Sequence, residues 1–125
     1  MAIQSYEDLE TWQIAMELVV SVYGLSSAFP PQERYGLTAQ LRRAAVSIPS
    51  NIAEGHQRGS KSYLHFIATA LGSNAEVQTQ LRLAIRLEFV DATQAKEAME
   101  LAERTGQLLH GLKRALERRV REEQS

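Results

Sequence analysis

The side chains able to do chemistry gather in the middle of the 125-residue chain. Arg34, Gln40, Arg42, Arg43, Ser47, Asn51, Glu54, His56, Arg58 and Lys61 fall within one stretch, with Ser73 and Glu76 soon after. Nucleophilic catalysis would need Ser47 or Ser73 beside a general base, and neither has an evident one. Glu54 and Glu76 could form an acid–base carboxylate pair, but the arginines nearby favour structural salt bridges instead. A di-iron centre in a helical protein takes Glu-x-x-His pairs on facing helices. Three residues before His65 stands Ser62, and before His110 stands Gln107, so that pattern is missing. His56 has no helical histidine partner, and the chain has no cysteine for a thiolate site or a disulfide. No catalytic, metal-ligating or cofactor-binding residue emerges, and the chain reads as a non-enzyme without a cofactor.

Phosphate binding is the remaining chemistry. Gly55 to Ser62 spell G-H-Q-R-G-S-K-S, superficially a phosphate-cradling loop. Its glycines stand one residue too close, Ser60 separates Gly59 from Lys61, and no strand precedes it. The stretch reads better as a helix end at Gly55 or Gly59 followed by a helix capped by Ser60. His56, Arg58 and Lys61 would still sit beside that helix N-terminus, whose free amides favour anions. Together with Arg34, Arg42 and Arg43 they form the expected anion or RNA-phosphate site.

Charge is distributed less evenly than its sum suggests. The net charge is −1, which does not by itself point to nucleic acid. No Lys or Arg precedes Arg34, whereas five acids do (Glu7, Asp8, Glu10, Glu17 and Glu33). Between Arg34 and Lys61 there are five bases and one acid, and between Arg104 and Arg121 six bases and one acid. A local basic surface on a neutral protein is therefore expected. With 44% apolar residues the chain can bury a core as a single domain over residues 1–125. It has no signal-peptide pattern and no apolar run long enough for a membrane span, so it reads as soluble and cytoplasmic.

The elements that must position these residues are helices. Strand signals are nearly absent, and the three-four apolar period recurs throughout. A first helix is expected from Ser5, with Asp8 as its capping partner, to Phe29 before Pro30-Pro31. A second spans Glu33 to Gly55. A third runs from Ser60 to near Glu88. Asp91 and Gln94 form a capping box for a fourth that ends near Arg121. Such short connections favour antiparallel neighbours and an all-α, up-down four-helix bundle.

The expected core stripes are Leu9, Trp12, Met16, Val19 and Tyr23 on helix one and Leu37, Leu41, Ala45, Ile48 and Ile52 on helix two. Helix three offers Tyr63, Phe66, Ile67, Ala70, Val77, Leu81 and Ile85. Helix four offers Ala95, Met99, Ala102, Leu109, Leu112 and Leu116. Helix one carries a second apolar face of Ile14, Leu18, Val22 and Leu25. A helix apolar nearly all round is buried on more than one side. These four residues are therefore the expected contact of a homo-oligomer.

Within helix two, S-I-P-S-N-I-A-E-G (Ser47 to Gly55) places a proline inside a helical pattern. Ile48 and Ile52 continue the phase of Leu37, Leu41 and Ala45 through Pro49, which favours one helix kinked at the proline. The competing possibility is a helix that stops at Ile48 and restarts with Ser50 as cap. Polar residues of helix two (Gln40, Arg43, Ser47, Asn51, Glu54) and helix three (Thr69, Ser73, Glu76, Gln80) form facing flanks. Antiparallel register brings Gln40 to Gln80 and Ser47 to Ser73, and sets Glu76 level with Arg43 or Arg42 in an expected ion pair. Glu54 should lie beside Lys61 and His65, and Asn51 should satisfy groups near Pro49.

Three stretches carry a family likeness: L-E-T-W-Q-I-A-M-E-L, then F-P-P-Q-E-R-Y-G-L-T-A-Q-L-R-R-A-A-V-S-I-P-S-N-I-A-E-G, then G-S-N-A-E-V-Q-T. With them the chain resembles the four-helix-bundle proteins encoded in 23S rRNA intervening sequences, from about residue 5 to residue 115. The resemblance implies an up-down bundle assembled as a homopentamer around a central axis, with no established enzymatic activity. The accessory protein of diversity-generating retroelements looks like a relative, and it binds nucleic acid and a reverse transcriptase through a strongly basic surface. This chain is neutral by comparison. Two classes of function follow: an accessory factor that binds RNA or DNA through Arg34, Arg42, Arg43, Arg58, Lys61 and the basic fourth helix, and an oligomeric adaptor that binds a protein partner.

Overall fold

The computed structural model describes residues 5–125. Four helices follow in order: α1 (Glu10–Ser26), α2 (Leu37–His56), α3 (Ser60–Arg86) and α4 (Ala92–Glu123). Short 3₁₀ turns at Tyr6–Asp8 and Pro31–Glu33 precede α1 and α2. Each helix packs on two neighbours, α1 with α2 and α4, and α3 with α2 and α4. Contacts at two levels make these pairs antiparallel: Gly55 with Tyr63 and Ser47 with Ser73 for α2 and α3, Ser60 with Glu123 and Asn74 with Ala102 for α3 and α4, and Glu10 with Arg104 and Leu25 near Gln94 for α1 and α4. Tyr6 sets the start of α1 beside His56 at the end of α2. The all-α up-down bundle expected from the spacing is the fold.

Helix ends differ from the expectation where local chemistry does something else. Ser5 caps only the first 3₁₀ turn, accepting from the Glu7 N–H at 3.1 Å, and α1 begins five residues later at Glu10. Asp8 plays no reciprocal part. Glu33 likewise ends a 3₁₀ turn rather than opening α2. Its carboxylate accepts from the Leu37 N–H at 3.0 Å and so caps α2 from outside the helix. Ser60 is the first residue of α3, not its cap, and its hydroxyl donates to the Glu123 carboxylate at 2.9 Å. The capping box at Asp91 and Gln94 is present in both directions, at 2.8 and 2.9 Å.

Just past the end of α3 stands a residue in the left-handed region, Glu88. Phe89 N–H donates to the Ala84 carbonyl and Glu88 N–H to that of Ile85, both bonds of a Schellman motif. Glu88 occupies the position that glycine usually fills, at φ 62°.

Helix α2 runs without interruption through Pro49, so the chain does not stop and restart there. Ser50 donates to the Val46 carbonyl at 2.8 Å, and the Asn51 amide to the Ser47 carbonyl at 2.7 Å. Neither reaches the Ala45 carbonyl, whose helical partner the proline ring removes.

The core is built from Leu18 and Val22 of α1, Leu41, Ile48 and Ile52 of α2, Ile67, Val77 and Leu81 of α3, and Leu109 and Leu116 of α4. On α1 the second apolar face is buried more deeply than the stripe expected in the core. Leu18 and Val22 lie fully inside the bundle, with Ala15, Thr11 and Ser26. Ile14 and Leu25 are half-buried beside them. Leu18 and Val22, expected as oligomer contacts, are therefore not on the outward surface. Of the stripe expected in the core, Leu9, Trp12 and Val19 are half-buried and pack against it, whereas Met16 is 40% and Tyr23 42% exposed. Small residues (Thr11, Ala15, Ser26) share the buried face with Leu18 and Val22 and let α1 approach its neighbours closely, while Met16 and Tyr23 stand at its edge.

Candidate functional site

The polar seam between α2 and α3 forms largely at the expected register. The Ser47 and Ser73 hydroxyls meet at 2.9 Å, and the Asn51 amide donates to the Ser47 hydroxyl at 2.9 Å. Ser47 thus sits at the centre of a small network linking the two helices. At its outer edge Gln40, Arg43, Ala44, Glu76 and Gln80 frame a groove of about 350 Å³. The expected ion pair of Glu76 with Arg43 or Arg42 is not formed. Among the described residues the ion pairs are Arg58–Glu54, Lys96–Glu100 and Arg104–Glu10. Arg42 turns the other way, towards α1. It donates to the Ser26 hydroxyl at 2.8 Å and the Tyr23 carbonyl at 3.3 Å, and lies over the Tyr23 ring. Glu54 pairs with Arg58 one turn on, not with Lys61 or His65.

Gly55 closes the motif for a packing reason that spacing alone did not reveal. It is buried against α3, where a Cβ would stand 2.6 Å from Tyr63 Cδ1 and 2.9 Å from Phe66 Cβ. Only a glycine lets the last turn of α2 settle on that surface. His56 then lies between two tyrosines, its ring 6.5 Å from Tyr6 and 5.8 Å from Tyr63. The Tyr63 hydroxyl is buried with no hydrogen-bond partner. Burial pushes its pKa up to about 12, with Arg119 nearby pulling weakly the other way.

The six basic residues expected to share an anion site do not come together. Arg34 lies at the α1–α2 connection, over the ring of Tyr35. Arg42 is held by α1, and Arg43 borders the seam. His56 is enclosed by aromatics, and Arg58 is paired with Glu54 and lies over Phe66. Lys61 is exposed in the first turn of α3. A different basic group appears on α4. Arg114, Arg118 and Arg121 recur at helical spacing on one exposed face, around a groove of about 400 Å³ shared with Gly111 and Glu117. None of the three forms an ion pair among the described residues. This end of α4 lies beside the α2–α3 turn, as the contact of Ser60 with Glu123 shows. The run of bases after Arg104 was its signal in the sequence.

A second surface is apolar. Trp12, Met16 and Val19 of α1 and Val46, Pro49 and Ala53 of α2 line a groove of about 370 Å³ between the two helices. Among the described residues no three His, Asp or Glu side chains stand close enough to hold a metal ion. Among the described residues no helix is long and apolar enough to cross a membrane.

The sequence profile of the 23S rRNA-intervening sequence proteins matches residues 7–111. No curated protein matches the chain in sequence. Among solved structures, the fold is similar to a crystal structure, at 1.70 Å resolution, of a protein of unknown function from the S23 ribosomal protein family of Bacteroides thetaiotaomicron VPI-5482. The two superpose with a TM-score of 0.76 and 22% identity, covering 82% of this chain and 97% of the other. At that identity the likeness speaks for the bundle, and the profile match over most of the chain speaks for ancestry. By that match, the chain belongs to the 23S rRNA-intervening sequence protein family.

Proposed function

We propose that this protein is a non-enzymatic, self-assembling bundle that acts as an accessory factor binding structured RNA. The observation that carries the reading is the face of α4 on which Arg114, Arg118 and Arg121 stand exposed and free of ion pairs. Guanidinium groups at helical spacing can each meet a phosphate oxygen, and they do so without reading bases. The groove they border has no aromatic residue in its lining. Binding is therefore by backbone charge rather than by stacking on unpaired bases.

Assembly is the second half of the reading. The apolar groove of α1 and α2, with Met16 and Tyr23 at its side, is the surface that a second copy would cover. The family resemblance implies five copies, which would repeat the basic face and raise affinity by multivalency. A bend at Pro49 would serve the same surface, because that residue lines the apolar groove and its missing N–H leaves the Ala45 carbonyl without a helical partner.

The test is fluorescence anisotropy with a labelled RNA hairpin, comparing the natural chain with Arg114→Gln/Arg118→Gln/Arg121→Gln. Binding at low salt that the triple variant loses supports the proposal. No binding by the natural chain refutes it. The adaptor reading, in which the bundle binds a protein instead, rests on the apolar flank of α1 and would then stand.

A further inference from the structure

Another groove lies on the other flank of α1, against α4, away from the basic face and sharing only Met16 with the α1–α2 groove. Its volume is about 640 Å³. Its apolar floor is Met16, Val20 and Leu25, and Val20 is 71% exposed. Gly24 opens the floor further, because a Cβ there would meet nothing within 4 Å. Glu17 and Glu97 stand on its two sides, one from each helix. Neither takes part in an ion pair among the described residues, and no Lys or Arg lines the groove.

An open apolar trough of this kind matches the helix-in-groove mode of recognition, in which spaced apolar anchors enter the floor and flanking charges meet the rim. The lining on α1 runs from Met16 to Leu25, a length of about 14 Å at 1.5 Å per residue. That length receives two to three turns of helix. The charge on the walls selects the occupant: two unpaired carboxylates repel an acidic segment and attract a basic one. We infer that the α1–α4 groove docks an amphipathic helix of a partner protein whose apolar face is flanked by Lys or Arg. The structure assigns Val20 and the space above Gly24 to its apolar anchors, and Glu17 and Glu97 to its basic flanks. This interaction is separate from RNA binding and does not depend on it.

The experiment uses the full chain and a defined probe. A fluorescein-labelled helical peptide of about 14 residues carries Leu along one face and Lys on both flanks, and its twin carries Glu in place of Lys. Anisotropy titration should show the Lys peptide binding at least roughly tenfold more tightly than the Glu peptide. Gly24→Met fills the trough from below, its Cβ meeting nothing within 4 Å, and should weaken the Lys peptide by roughly tenfold or more. Glu17→Lys/Glu97→Lys should reverse the preference between the two peptides. Sedimentation velocity on Gly24→Met should match the natural chain. Equal binding of the two peptides, or a Gly24→Met variant that binds normally, would overturn the inference. So would a Gly24→Met variant whose assembly state changes, because the groove would then belong to a second copy.

Discussion

Replacing Gly55 with alanine should destabilise the bundle, although alanine is the better helix former. Gly55 is buried near the end of α2, and the added Cβ would stand 2.6 Å from the ring of Tyr63 and 2.9 Å from Phe66 Cβ. Phe66 Cβ is rooted in the α3 backbone, so relief requires the two helices to separate. Overpacking of this kind costs about 1–3 kcal/mol. Helix propensity returns at most about 1 kcal/mol, and less in a final turn. The net loss is about 1–2 kcal/mol, a fall in Tm of roughly 3–8 °C for a domain of this size. Gly24→Ala is the internal control, because its Cβ meets nothing within 4 Å. It should gain about 0.5–1 kcal/mol from propensity alone. Thermal and urea unfolding at one fixed protomer concentration would compare the pair, since assembly makes apparent stability depend on concentration. A Gly55→Ala variant as stable as the natural chain, or more stable, would show that α2 and α3 do not approach as closely as described.

The two faces of α1 should separate under charged substitution. Leu18→Glu buries a charge in the core and should abolish folding by circular dichroism. Met16→Glu should leave the helical signal intact while light scattering reports a smaller particle. The Ser47–Ser73 bond should appear in a double-mutant cycle to alanine as a coupling of about 0.5–1.5 kcal/mol in urea unfolding, and independent effects would contradict the seam. Tyr63→Phe removes a buried, unpartnered hydroxyl and should be neutral or mildly stabilising, by up to about 1 kcal/mol. In the natural chain Tyr63 should ionise at about 12 by ultraviolet difference titration. Its folded pKa lies above the ordinary 10.0, so the folded state holds the proton longer. The stability it contributes is intact below pH 10 and is lost as pH rises towards 12.

What could be read from the sequence was what has a register. Facing positions on α2 and α3 follow from antiparallel pairing, so the approach of Ser47 to Ser73 was legible before any coordinates. So was the capping box of Asp91 and Gln94, whose three-residue spacing is its mechanism. Facing direction on α1 was not legible, because a helix apolar nearly all round has no single phase. There the small residues Thr11, Ala15 and Ser26 decide which side is buried, and a search for large apolar side chains passes over them. The missing Glu76 ion pair has a similar cause. Register places Arg42 and Arg43 at the right level, but adjacent residues differ by about 100° around a helix, and Arg42 turns to Tyr23 and Ser26 of α1. The basic face of α4 was visible only as a charge run. Helical spacing turns that run into a surface, whereas Arg34, Arg43 and Lys61 are dispersed by the fold.

The central claim is that the α4 face binds RNA through phosphate charge, and the salt dependence of binding tests it most directly. Anisotropy titrations of one RNA hairpin across a salt series give the slope of log affinity against log salt for the natural chain and for the triple Arg→Gln variant. Each lost phosphate contact removes up to about 0.9 from that slope, so neutralising three arginines should flatten it by roughly 2–3 for each protomer engaged. A natural chain whose binding falls steeply with salt, and a variant with the flatter slope, is the predicted result. Affinity indifferent to salt, or equal slopes for both proteins, would contradict the account.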